Sequence, residues 1–241
     1  MGRPIFDGRW RFALCTLLMS ATFYTQPSTA ARPAVVELFT SQGCSSCPPA
    51  DTILGELAQR ADVLALAFHV DYWDDLGWRD RFALREAAQR QRLYVQSLRL
   101  STMFTPQAVI DGRRSFLGSN RGSMLAFIDS KRDDVPVGLG IANGKLLIDL
   151  TERTANTPLD INVVAYLPEA STSIGRGENA GRVLREFNIV RAFKPVGVWQ
   201  GQTQQLQVPL STLPPDASRA AVLVQRREQG AIVGAATIVI R

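Results

Sequence analysis

The sequence predicts an α/β domain followed by an all-β, sandwich-like domain. Three observations carry this prediction. An apolar strand, a helix opened by two prolines and a second apolar strand follow one another over residues 34–70, a βαβ order. A second helix, a strand–turn–strand unit and a third helix complete that pattern by residue 134. From about Val135 onward, short alternating strands separated by turn residues replace helices altogether.

The elements follow in order. Residues 1–30 carry Arg3, Arg9 and Arg11, then the 13-residue apolar run "FALCTLLMSATFY" and the small-residue site "STA". This is the three-part layout of a secretory signal peptide, with cleavage expected after Ala30. The run is shorter than the roughly 17–25 residues a spanning helix needs. No later stretch is long and apolar enough to span a membrane. Removing the leader takes away three Arg and one Asp, lowering the formal net charge of +5 by two. The remaining charge is diffuse, and with no Lys/Arg block there is no argument for nucleic acid.

"AVVELFT" (34–40) reads as a buried strand, and "PPADTILGELAQR" (48–60) as a helix whose prolines fall in its first turn. "VLALAFHV" (63–70) reads as a second buried strand and "ALREAAQRQRLYVQSL" (83–98) as a helix by propensity. "TPQAVIDGRRSFLG" holds a strand, an Asp-Gly turn and a return strand. Residues 119–134 read as a helix with Met124, Leu125 and Ile128 on one face and Ser119 or Asn120 as cap. Beyond Val135 come "KLLIDLT", "LDINVVAYL", "RVLREFNIVRAF", "QQLQVPL", "RAAVLVQR" and "AIVGAATIVI". In the second, Ile161, Val163, Ala165 and Leu167 point one way. The organisation is a leader over 1–30, an α/β domain over 31–134 and a β domain over 135–241.

The chemistry concentrates in "ELFTSQGCSSCPPAD". With Cys15 leaving in the leader, only Cys44 and Cys47 remain. A disulfide between them closes too small a loop to stabilise much by chain entropy, so a structural staple explains them poorly. Placed between a strand and a helix start, the spacing suits redox chemistry. Unpaired N–H groups and the helix dipole favour a thiolate on Cys44, and Cys47, one turn further in, resolves the mixed disulfide. A closed zinc site wants four Cys/His ligands, more than this chain offers. Copper(I) accepts two thiolates, with His69 as a third ligand.

Two further features suit a thioredoxin-like site, making the first domain α/β thioredoxin-like. Pro106 in "FTPQAVIDG" stands where thioredoxin-like folds carry a cis-proline that holds the backbone extended for a partner strand. Glu37 stands in an otherwise apolar strand. It reads either as a buried carboxyl that moves the proton of Cys47 or as an edge carboxylate, solvated or paired with an Arg. His69 reads as a hydrogen-bonded core residue outside the copper alternative. Trp73 and Tyr72 line the site or cover the inserted helix, Trp78 packs, "RQR" (90–92) is a solvated helix face and "RGEN" (176–179) a polar loop.

"VVELFTSQGCSSCPPAD", "HVDYWDDLGW", "TPQAVIDG" and "GRGENAGRVL" together resemble the secreted thioredoxin-like family catalogued as domain of unknown function 1223. The resemblance covers nearly the whole chain after the leader. It implies a thioredoxin-like domain followed by a β-rich domain, with the family's Cys pair at Cys44 and Cys47. The chain departs from thioredoxin proper in its Ser-Ser dipeptide, in the longer insert over residues 71–100, and in Gly43 where thioredoxin has Trp. The expected protein is a periplasmic or secreted thiol–disulfide oxidoreductase acting on a protein thiol or disulfide, with no organic cofactor, since no Gly-rich phosphate loop is present. The alternatives are copper handling by Cys44, Cys47 and His69, or a binding protein with an inert disulfide.

Overall fold

The computed structural model describes residues 1–2, 32–130, 133–154 and 157–241. The leader expected over residues 1–30, Cys15 included, lies outside them except for its first two residues. Among the described residues, no helix is long and apolar enough to cross a membrane.

Strand β1 (Ala34–Thr40) is buried along its whole length, as a continuous apolar run requires when both faces of a sheet are covered. Helix α1 (Pro48–Leu57) returns the chain to β2 (Val63–His69), which pairs parallel with β1 from Ala34↔Val63 to Thr40↔His69. Helix α2 (Arg85–Ser97) lies within the insert of residues 71–100. Strand β3 (Gln107–Ile110) runs antiparallel to β1, and β4 (Arg114–Leu117) pairs with β3. The intervening turn places Asp111 and Gly112 at φ of 51° and 62°, the left-handed geometry that Asp-Gly supplies most cheaply. Helix α3 (Arg121–Ile128) is capped by Asn120, whose side chain accepts from Ser123 N–H.

The second half contributes β5 (Gly138–Ala142), β6 (Lys145–Leu150), β7 (Leu159–Ser173), β8 (Val183–Trp199), β9 (Gln204–Pro209), β10 (Arg219–Arg226) and β11 (Ile232–Val239). Four of these strands continue the first half's sheet, in the order β11-β10-β7-β8-β2-β1-β3-β4, with β8 meeting β2 in parallel at Ala67↔Ile189. Strands β5, β6 and β9 form a second sheet. Its Leu146, Ile148 and Val208 pack with Ile161, Val163, Ala165 and Val222 of the first. Leu167 lies past a register shift between Ala165 and Tyr166 and is only half-buried.

Side-chain alternation divides the interior around β1. Val36 and Leu38 face α1 and α3 together with Leu54, Leu57 and Met124. Val35 and Phe39 face the other way, with Phe68 and Tyr94, and with Val164, Tyr166, Val190 and Leu223 from the second half. One apolar cluster therefore draws on both halves of the chain.

Candidate functional site

Cys44 and Cys47 form a disulfide, with Cα atoms 5.4 Å apart. The sequence places Cys47 one turn inside a helix; the structure instead makes it the residue before the first turn. Pro48 and Pro49 are the reason. Neither has an N–H to give, so they fit only where intrahelical donors are not needed, and α1 starts at Pro48. The pair sits in the turns that lead in, where Cys44 N–H donates to Ser41 O (3.1 Å) and Cys47 N–H to Cys44 O (3.2 Å). Both cysteines are 0% exposed, while Ser45 and Ser46 between them face solvent.

The Thr105–Pro106 peptide bond is cis. Thr105 Oγ1 donates to Cys44 Sγ at 3.3 Å, and Trp73 Nε1 donates to Thr105 Oγ1 at 2.9 Å. Pro106 O accepts from Gly118 N–H, which ties the segment to the end of β4. The structure thus brings Cys44, Cys47 and the residue before Pro106 together, with Trp73 lining the site.

Behind the disulfide loop lies a buried polar cluster that sequence reasoning did not assemble. Asp51, on α1 one turn past Cys47, accepts from Thr40 Oγ1 (2.8 Å), and its N–H donates to Cys47 O (3.1 Å). His69 Nδ1 donates to Asp80 Oδ2 (2.7 Å), and its Nε2 lies 3.8 Å from Glu186 Oε1 without a hydrogen-bond partner. Gln42 ties the cluster to the disulfide loop. Its N–H donates to Asp80 Oδ2 (2.8 Å) and its Nε2 to Glu186 Oε2 (2.9 Å), while its Oε1 accepts from Trp78 Nε1 (3.0 Å).

These contacts displace the proton affinities. Burial drives Asp51 up to about 7, against the opposing pull of His69 and the Thr40 hydrogen bond. Burial works to lower His69, but the charge and hydrogen bond of Asp80, helped by Glu186 and Asp51, overcome it and raise the imidazole to about 9. Burial also acts to raise Asp80, yet His69 and backbone N–H donors hold it below the usual carboxylate range. Glu186 is raised, chiefly by burial. A groove of about 650 Å³ between α1 and β8 has Asp51 among its lining residues, with Gly55, Leu184 and Phe187.

Glu37 is elsewhere. It shares the phase of Val35 and Phe39, and it accepts from Arg90 Nε (2.6 Å), Arg90 Nη2 (3.1 Å) and Tyr94 Oη. Arg90 Nη2 also donates to Gln225 Oε1 of β10 (3.1 Å). Of the readings open for Glu37, the structure gives pairing with an Arg, but buried rather than at an edge. One sequence reading is corrected here. "RQR" is not a solvated face, since Arg90 and Gln91 are buried and only Arg92 is exposed. "RGEN" is a polar loop, as read, exposed over 176–178, while its Asn179 is buried and donates to Gln42 O and Cys44 O. Among the described residues, no group of three or more His, Cys, Asp and Glu side chains is arranged to hold a metal ion.

Over residues 35–225 the chain matches the family described as "Protein of unknown function (DUF1223)", and it belongs to that family. Among solved structures it is similar to protein AGR_C_4864 from Agrobacterium tumefaciens. The two are 30% identical with a TM-score of 0.76, over 89% of this chain and 97% of that one. It is also similar in fold to HBP35 of Porphyromonas gingivalis, at 10% identity and a TM-score of 0.51, over 87% of this chain and 75% of that one. No curated protein matches the chain.

Proposed function

We propose that this member of the family is an exported, thioredoxin-like thiol–disulfide oxidoreductase whose redox centre is Cys44–Cys47. The observation that carries the reading is the disulfide at the start of α1, with Thr105 on its first sulfur and the buried Asp51, His69, Asp80 and Glu186 behind the loop. The β1–α1–β2 unit, with β3 antiparallel beside β1, supports a thioredoxin-like first half. The basic and apolar start of the sequence supports export to the periplasm or beyond.

In the oxidising direction a partner thiolate attacks Cys44 Sγ. The Cys44–Cys47 bond breaks, its electron pair leaves on Cys47 sulfur, and that sulfur takes up a proton. A second partner thiolate then attacks the partner sulfur of the mixed disulfide and releases Cys44. The net change converts a partner dithiol to a disulfide and the Cys pair to a dithiol; the reducing direction is the reverse. Asp51 suits the proton step better than Glu37. Its affinity near neutrality lets it both take and give a proton, its backbone N–H donates to Cys47 O one turn back, and it lines the surface groove. Glu37 is occupied by Arg90 and Tyr94, and its role in this reading is to hold the sheet. The segment before Pro106 positions the partner. No cofactor is required, and the substrate is a protein thiol or disulfide.

The complete burial of both sulfurs favours a second reading, a binding protein with an inert disulfide. The reduction potential separates the two. Equilibrated with glutathione buffers, an exchanging pair sits at roughly −120 to −270 mV, and an inert disulfide below about −300 mV. Loss of thiol exchange in Cys44→Ser is expected as well. A potential below −300 mV would transfer the assignment to the second reading.

A further inference from the structure

Residues 174–182, which connect β7 to β8, lie on the disulfide loop although they are some 130 positions away in sequence. The connection holds its own shape: Ile174 N–H donates to Arg182 O (2.9 Å) and Gly181 N–H to Ile174 O (2.8 Å). Asn179 Nδ2 donates to Gln42 O (3.0 Å) and Cys44 O (2.9 Å), and Arg182 Nη1 fixes the amide by donating to Asn179 Oδ1 (3.1 Å). Glu178 Oε2 accepts from Ser45 N–H (3.2 Å), the amide directly after Cys44. Gly177 closes against the insert, where a Cβ would stand 3.0 Å from Trp78 Cβ. Both sulfurs are 0% exposed in this arrangement.

The placement of Glu178 has a chemical consequence. Pro48 and Pro49 give α1 no N–H in its first two positions, and the amides of Cys44 and Cys47 are spent on Ser41 O and Cys44 O, which leaves Ser45 N–H to take the Glu178 carboxylate. In the disulfide the sulfurs carry no charge, and the Glu178 carboxylate accepts from Ser45 N–H with no anion beside it on Cys44. Reduction with ionisation of Cys44 puts a thiolate on the residue before Ser45, where like charge repels the carboxylate. Docking of the connection and a thiolate on Cys44 therefore oppose each other, and the opposition is reciprocal.

We propose that the β7–β8 connection is a redox-coupled cover, held on the oxidised Cys44–Cys47 loop by Asn179 and Glu178 and released when the pair is reduced. Glu178 is the coupling residue and Asn179 the positioning residue. The cover seals the oxidised form and opens the reduced one, so the accessible state is the one that attacks a partner disulfide. Cys44 thiolate bonds to one partner sulfur and the other leaves as a thiolate that takes a proton. Cys47, giving up its own proton, then attacks Cys44 and expels the second partner sulfur. The partner leaves as a dithiol and the pair as a disulfide, which a dithiol donor must reduce again. The partner class rests on the oxidoreductase reading; the coupling does not.

The test is hydrogen–deuterium exchange of the Ser45 amide in the full chain after the leader, oxidised and after reduction with dithiothreitol, for the natural protein and for Glu178→Gln. Glu178 is exposed, so the variant keeps its core. Reduction should speed exchange at Ser45, whose N–H the connection holds through Glu178 Oε2, by roughly tenfold in the natural protein, within the range typical of coupled sites, and much less in Glu178→Gln. Equal exchange in both redox states overturns the cover. An equal acceleration in the natural protein and the variant overturns the coupling through Glu178. Neither outcome depends on turnover, so an inert pair and an uncoupled cover are told apart by adding the reduction potential.

Discussion

Replacing Arg90 with Met should destabilise the fold far more than it affects redox chemistry. Arg90 is 3% exposed and Glu37 0%, and the guanidinium donates twice to that carboxylate. Removing one partner of a buried ion pair leaves the other charge unpaired, which costs about 3–5 kcal/mol. Tyr94 still donates to Glu37 in the variant, which places the expected loss near the lower end, about 3 kcal/mol. Arg90 also stacks over Phe193 at 4.3 Å, a contact that Met replaces in part. For a chain of this size, a loss of that magnitude lowers the thermal midpoint by roughly 6–12 °C. The assay is thermal and urea unfolding of oxidised protein at pH 7.5. Combining Arg90→Met with Glu37→Gln removes both charges and should recover much of the loss, since neither is then stranded. Glu37→Gln should leave the rate of mixed-disulfide resolution within a few-fold, whereas loss of a proton-transfer group slows its step by about 10²-fold or more. A loss below about 1 kcal/mol for Arg90→Met, or a double variant no better than the single, would refute the structural assignment of Glu37.

Asp51 binds its proton more tightly folded than unfolded, so stability falls as pH rises from 3.8 toward about 7. Asp51→Asn should flatten that part of the stability–pH curve while slowing resolution near neutrality, and unchanged slopes would sink the assignment. The raised His69 contributes stability that is full below about 6.5 and lost as pH climbs through about 9. Chemical unfolding of His69→Gln should therefore show a shallower alkaline decline. Gly112→Ala should destabilise the fold by about 1–3 kcal/mol, because φ is 62° and a Cβ would meet Gly230 O at 2.6 Å. Gly122→Ala, in α3 with open space around it, should stabilise by about 0.5–1 kcal/mol in the same urea titration. A chain ending at residue 134 should show no cooperative unfolding transition, since it loses Val164, Tyr166, Val190 and Leu223 from the cluster that buries Phe39 and Phe68.

Where local chemistry decides structure, the sequence is a good guide. The apolar runs at β1 and β2, the prolines that open α1 and the Asp-Gly turn after β3 each act within a few residues. The length of the β7–β8 hairpin is hidden for the opposite reason. The expected strands end at Leu167 and Phe193, short of Pro168 and Pro195, and proline gives a sheet no donor. The structure absorbs them at irregularities: Pro195 lies beside the register shift at Ile161/Asn162, and Pro168 faces the stretch where Asn188 takes φ of 46°. Two strands of 15 and 17 residues result, long enough to carry residues 174–182 back over Cys44. The cover was illegible because its partners are chosen by tertiary structure alone.

The buried charges did leave a signal, one of phase rather than motif. Glu37 alternates in step with Val35 and Phe39, Glu186 in step with Leu184, and Arg90 and Tyr94 lie four apart on the face that buries Ala87. A charged side chain in phase with a buried apolar face needs a partner from another element, because an isolated charge there is too costly to keep. Here each such residue ends in a contact with a distant segment. Glu37 pairs with Arg90 and Arg90 with Gln225, Glu186 binds Gln42, and Asn179 binds the carbonyl of Cys44. Three of those four contacts join the first half of the chain to the second. The β-rich half therefore belongs to the site: it supplies the carboxylate that faces His69, the amide that holds the disulfide loop and the acid that sits on the amide after Cys44.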